Sequence, residues 1–144
     1  MRRSHWICSA LLLVVAVVAL QASAESGLQI IYIEFANNAD EIVVLFNATP
    51  SDIDLTGYKI WSHGGQEFVF QKTALNPQDP VIQAFDVVRV HSVYCGTFEN
   101  PRDFNWVNKD ASCRQSAVWN DDGDQAKLFP PGSDVPISEY SYQD

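Results

Sequence analysis

The sequence predicts an all-β domain, an antiparallel sandwich or barrel, on three observations. Short runs rich in β-branched and aromatic residues recur from Leu28 onward. Polar clusters of Asn, Asp, Gly and Pro separate them. No stretch repeats its apolar residues with the 3.6-residue period of an amphipathic helix.

The first run is residues 28–35 (LQIIYIEF), ended by the turn cluster at 36–40. Residues 41–46 (EIVVLF) form the second, and 47–52 (NATPSD) break it; Asn47 is suited to bonding neighbouring backbone at a strand end. The third run, 55–61, contains Gly57, which allows a positive φ before the strand resumes. His63-Gly64-Gly65 is a tight turn leading into 66–70. Residues 85–91 alternate inward and outward, which makes His91 read as a surface strand residue. Residues 126–129 precede a Pro130-Pro131-Gly132 turn, and 135–142 make the last run. One long irregular stretch is left, 92–116. No internal repeat and no linker divides the chain.

The N-terminus reads as a secretory signal peptide covering residues 1–24. Arg2 and Arg3 are followed by a 14-residue apolar run, 7–20, and then by the small-residue exit Ala22-Ser23-Ala24. In a helix that run reaches only about 21 Å, short of the roughly 30 Å hydrocarbon core, so no membrane span is expected after cleavage. The mature chain, 25–144, is then one secreted, extracellular domain. The 144-residue chain has formal net charge −9. Without Arg2 and Arg3, seven basic residues face 18 acidic ones, a net charge of −11. That acidity argues against a nucleic-acid partner, which is gripped through phosphates by clustered Lys and Arg. Cys8 leaves with the signal. Cys95 and Cys113 remain as an even pair in an oxidising compartment and are expected to form one disulfide. Their spacing matches no zinc knuckle, and His63 and His91 do not have ligand-pair spacing.

Four short stretches, in order, resemble the lamin tail domain family. They are Glu41-Ile-Val-Val-Leu-Phe-Asn47, Ile53-Asp-Leu-Thr-Gly-Tyr58, Phe68-Val-Phe70 followed by Leu75-Asn-Pro77, and Trp119-Asn-Asp-Asp-Gly-Asp124 followed by Ala126-Lys-Leu128. The last is the most specific. The resemblance spans roughly residues 31–142 and implies an immunoglobulin-like antiparallel β-sandwich that serves as an interaction module without catalytic residues. The chain departs from the family pattern at Gln78, where a Gly is expected, and in the segment between Cys95 and Cys113.

No mechanism-bearing enzyme motif is present. Trp61-Ser62-His63-Gly64-Gly65 is superficially like an oxyanion loop, but no G-x-S-x-G follows; there is no phosphate loop and no H-E-x-x-H. The expected function is a secreted, non-catalytic binding or adhesion module for a protein or glycan partner. The alternatives are a cation-binding structural component of an extracellular matrix or envelope, and an accessory protein of a secreted enzyme. The candidate ligand contacts are the aromatics of the stapled stretch, Tyr94, Phe98, Phe104 and Trp106, which offer a stacking platform on a fixed loop. Packing of the loop itself is the competing explanation for them. Asp121, Asp122 and Asp124 with Gly123 are candidate Ca²⁺ ligands, although their spacing is not that of an EF-hand. No other cofactor is expected. Asn47-Ala48-Thr49 is an N-glycosylation sequon, disfavoured by Pro50.

Overall fold

The computed structural model describes residues 27–35 and 40–143. The expected signal peptide and most of the 36–40 turn lie outside the described residues. Ten strands follow one another: β1 Leu28–Glu34, β2 Ile42–Asn47, β3 Ile53–Asp54, β4 Lys59–Ser62, β5 Glu67–Val69, β6 Val81–Ile82, β7 Val87–His91, β8 Asp103–Asn105, β9 Asp124–Phe129 and β10 Ser138–Tyr142. There is no helix among the described residues, and none is long and apolar enough to cross a membrane.

The strands form two open four-stranded sheets, so the architecture is a sandwich and not a closed barrel. One sheet has the order β1-β2-β7-β8 and the other β10-β9-β4-β5; β3 and β6 make a separate two-stranded ribbon. Pairing is antiparallel throughout except between β7 and β8. That parallel pair needs a long crossover, and the irregular residues 92–102 supply it.

Alternation decides which faces meet. Val43 and Leu45 of β2, Val88 and Val90 of β7, Ile60 of β4, Phe68 of β5, and Ala126 and Leu128 of β9 all point into the core. Strand β1 breaks the period. Its register with β2 shifts between Ile30 and Tyr32, so a bulge at Ile31 lets both Ile30 and Ile33 face inward. Ile31 and Tyr32 consequently both face solvent. The Ile30 N–H donates to Ser138 Oγ at 3.0 Å, tying the edge strand of one sheet to the edge strand of the other.

The sequence reading placed β1, β2, β4, β5, β7, β9 and β10 and missed β3, β6 and β8. These three are two or three residues long, too short for a period-2 pattern to register. The turn 63–65 is as expected: Gly65 has φ +85° and its N–H donates to Ser62 O at 2.8 Å.

Five aromatic rings fill the centre. Phe68 meets Phe70 edge-on at 4.8 Å and Trp106 at 5.7 Å; Phe70 meets Phe104 at 5.4 Å; Trp106 meets Trp119 at 6.0 Å. Trp119 is held from its backbone as well. The buried Glu41 carboxylate accepts the N–H groups of Val118 (2.7 Å) and Trp119 (3.2 Å) and the Ser92 hydroxyl (2.9 Å). Trp119→Ala is therefore expected to lower unfolding free energy by about 3–5 kcal/mol, the range for deleting a large buried aromatic. An unchanged urea midpoint would contradict this placement.

Candidate functional site

The stapled stretch is built on two buried asparagines. The Asn105 side-chain amide pairs with Gly96 in both directions: it accepts the Gly96 N–H (3.0 Å) and donates to the Gly96 carbonyl (2.9 Å). It also donates to Leu75 O at 2.9 Å. Asn76 completes the clamp by donating to Asn105 O (2.9 Å) and accepting the Asn105 N–H (2.8 Å). Buried irregular backbone is costly unless it is bonded, and these two amides satisfy it where no sheet does. The Cys95–Cys113 disulfide, with Cα atoms 6.1 Å apart, closes the loop beside them.

A cleft of about 320 Å³ opens between the 74–78 turn and this loop, lined by Leu75, Pro77, Gln78, Cys95, Thr97 and Phe98 among others. Gln78, which stands where the family pattern has Gly, donates to Asp103 O at 2.7 Å and stitches the two walls together. Tyr94 stands 46% exposed, its ring 5.4 Å from that of Phe98, which lines the cleft. The other two aromatics of the expected platform are corrected by the structure. Phe104 and Trp106 are fully buried against Phe70, Phe68 and Trp119, so they are core and present no face to a ligand. Phe104 lies on β8 and Trp106 directly follows it, where both faces are covered, and this buries residues that loop composition would leave exposed.

His91 is the residue the sequence reading misplaced. It is buried at the end of β7, under the Phe98 ring, with centroids 4.5 Å apart. Its Nδ1 lies 2.5 Å from Asp40 Oδ2 and its Nε2 lies 3.3 Å from Asp103 Oδ1. Arg89 forks onto the same Asp103 carboxylate at 2.5 and 3.2 Å. Burial alone would raise the Asp103 carboxyl, but the hydrogen bonds from Arg89 and His91 outweigh it and hold the group below the usual carboxylate range. Alternation correctly signals that His91 points away from the core; what covers it is a loop that only the tertiary fold brings there.

The acidic loop does not form the expected calcium site. Asp124 is buried, and its carboxylate is occupied by the N–H groups of Gln125 (2.7 Å), His63 (3.2 Å) and Asn120 (3.3 Å) and by the Asn120 amide (3.1 Å). It acts as the bracket of a turn around Gly123, whose φ is +128°. Asp121 and Asp122 stay exposed. Among the described residues no three His, Cys, Asp or Glu side chains converge to hold a metal ion. The shared negative potential is still felt nearby. Burial, then the charges of Asp124, Glu41, Asp121 and Asp122, push the Tyr142 hydroxyl well above its ordinary range.

Asn47, the sequon asparagine, is turned inward. It is fully buried. Its Nδ2 donates to Ser51 O (2.7 Å) and Gln83 O (3.1 Å), and its Oδ1 accepts the Thr49 N–H (2.9 Å) and hydroxyl (2.7 Å). The strand-end bonding expected of it is present, and it consumes the nitrogen a glycan would need. Protein passed through a eukaryotic secretory pathway should carry no mass increment on the peptide containing Asn47; a hexose-bearing peptide would show this end of the sandwich open.

A carboxyl lowered in the folded state adds stability above its unfolded value and loses that contribution as the pH falls through the lowered one. Asp103→Asn should therefore cost on the order of 3 kcal/mol at neutral pH, because the Arg89 guanidinium loses its counter-charge. It should also flatten the decline of stability below the usual carboxylate range. Identical acid limbs in urea titrations of wild type and variant would count against this role.

A search of curated proteins returns no match. Among solved structures, the archaellum periplasmic stator protein FlaG from Sulfolobus acidocaldarius is similar over 80% of this chain and 97% of its own length, at 13% identity and a TM-score of 0.44. The Lamin Tail Domain family profile matches residues 21–144, a span that contains the whole expected mature chain, 25–144. Together with the two open sheets and the Trp119–Leu128 motif at the core, that match identifies the chain as a member of the lamin tail domain family.

Proposed function

We propose that the protein is an exported, non-catalytic binding module whose contacts lie on the stapled loop at Tyr94 and Phe98. One observation carries this reading: an exposed tyrosine, a cleft and covalent immobilisation coincide at this loop. Binding groups are commonly carried on loops that a rigid scaffold holds, and this loop is one. An aromatic ring already fixed in place loses little conformational entropy when a ligand stacks on it. The basic start, apolar run and small-residue exit at the N-terminus support export, and a disulfide suits an oxidising compartment. The reading without catalysis is supported by His91, whose two ring nitrogens are both taken by carboxylates, and by Ser92, whose hydroxyl is spent on Glu41. A protein or glycan surface is the partner this rim suits; the acidic loop, with charge but little apolar area, is the less favoured contact.

The test uses the secreted protein against arrays of glycans and of extracellular proteins, followed by substitution. Tyr94→Ala is expected to weaken whatever binds by about tenfold or more, as for a stacked aromatic contact, while the melting temperature stays unchanged. Affinity unaffected by both Tyr94→Ala and Phe98→Ala would reject this loop as the contact surface.

A further inference from the structure

A second surface lies where β6 turns into β7, and the binding reading leaves it unused. Phe85 stands there, 64% exposed, the most exposed aromatic ring among the described residues. Its backbone has φ +55°, in the left-handed region that a residue with a Cβ adopts only at a cost. Hydrogen bonds hold the turn in this shape. The Phe85 N–H donates to Thr49 O (3.3 Å), the Asp86 N–H to Gln83 O (3.2 Å) and the Ala84 N–H to Asp52 Oδ1 (2.9 Å). Strain of this kind persists only where the surroundings enforce it, and it collects at functional positions. A ring so exposed has little burial in the core to offset it.

Gln83 and Asp86, on either side of Phe85, line a cleft of about 360 Å³. Val81, Val87 and Pro101 give it apolar lining, and Asp52, Asp79 and Asp86 give it carboxylates. Val81 is itself exposed. Asp54 stands directly opposite Val81 in the β3–β6 ribbon, so its side chain shares that face. Four carboxylates thus surround the apolar groups. Two cations answer them, Arg102 on Asp86 and Lys72 on Asp79. Both members of the Lys72–Asp79 pair are more than half exposed, and such a pair contributes little and exchanges readily. The surface keeps a negative balance around exposed apolar side chains.

We propose that Phe85 and this cleft form a second docking surface, and that its occupant is a protein segment presenting an apolar side chain beside a lysine or arginine. The apolar side chain packs on the Phe85 ring and Val81. The basic side chain lays its aliphatic stem along Val87 and Pro101 and places its cation among the carboxylates. Charge selects this occupant. An anionic lipid surface, or a second copy of this acidic chain, brings like charge to the same carboxylates. Neither Tyr94 nor Phe98 lines this cleft, so the two surfaces can fail separately.

The test pans a phage-displayed library of random peptides on the folded secreted protein at low ionic strength, with Phe85→Asn as the counter-selecting bait. Asparagine tolerates left-handed backbone, so Phe85→Asn is expected to keep or raise the urea midpoint. Enriched peptides are expected to carry an apolar residue next to Lys or Arg. Made synthetically, they should bind Phe85→Asn about tenfold or more weakly than wild type. They should bind Asp79→Asn several-fold more weakly, lose affinity as salt is added, and bind Tyr94→Ala as tightly as wild type. No enrichment, enrichment without basic residues, or equal affinity for Phe85→Asn overturns the proposal. A lowered urea midpoint in Phe85→Asn means that the ring packs for stability, and overturns it too. Binding lost in Tyr94→Ala but kept in Phe85→Asn assigns the peptides to the stapled loop and rejects this surface. Dimers in sedimentation that Phe85→Asn abolishes make a second copy the occupant and reject the basic partner.

Discussion

Buried backbone outside the sheets has to be hydrogen-bonded, and side chains do that work throughout this fold. The sheets satisfy their own ladders, but several connections cross the ends of the sandwich without leaving the interior. Each crossing is held by one or two buried polar side chains. Asn47 fastens the 48–52 and 82–83 backbone, Asn76 and Asn105 join the 74–78 turn to the stapled loop, Glu41 receives the chain at Val118–Trp119, and Asp124 brackets the last turn. The aromatic core depends on these brackets. Trp106 follows Asn105 directly and Trp119 is bonded by Glu41, so the polar fixings set where the largest apolar groups lie.

The same arrangement gives the loop end its character. A disulfide alone would restrict residues 95–113 without fixing their orientation. Asn105 fixes the position of Gly96, and Asp40 that of the Tyr94 backbone, so the rim aromatics sit on backbone held from both sides. The His91 cluster lies beneath the Phe98 ring of this loop. The acidic end of the molecule has no such construction. Its charge lies on exposed Asp121 and Asp122, and the one inward acid, Asp124, is consumed by its own turn.

The fold was legible in the sequence because the long strands alternate and their breaks are rich in Gly, Pro and Asn. Gly57, the 63–65 turn and the Trp119 motif each do what their residue types imply. The site was legible only in part. Cysteine arithmetic found the staple, and loop composition pointed to Tyr94 and Phe98, which lie outside the aromatic core. Composition also pointed to Phe104 and Trp106, since β8 is too short to show a period and its burial comes from cover on both faces. The burial of His91 had no local signal. An outward position on a strand is normally wet, and here a segment distant in sequence, Asp40, and the Phe98 ring close over it.

The bulge at Ile31 and the Ile30–Ser138 bond have a consequence for behaviour at high concentration. Open sandwiches are prone to aggregate when long, flat edge strands recruit further chains. Here β1 is kinked by its extra residue and fastened to β10, so the two longest edges blunt each other. The opposite edges, β5 and β8, are only three residues long. They offer too few free ladder positions to template an incoming strand. An edge-protected sandwich with a large net negative charge is thus suited to staying dispersed when concentrated.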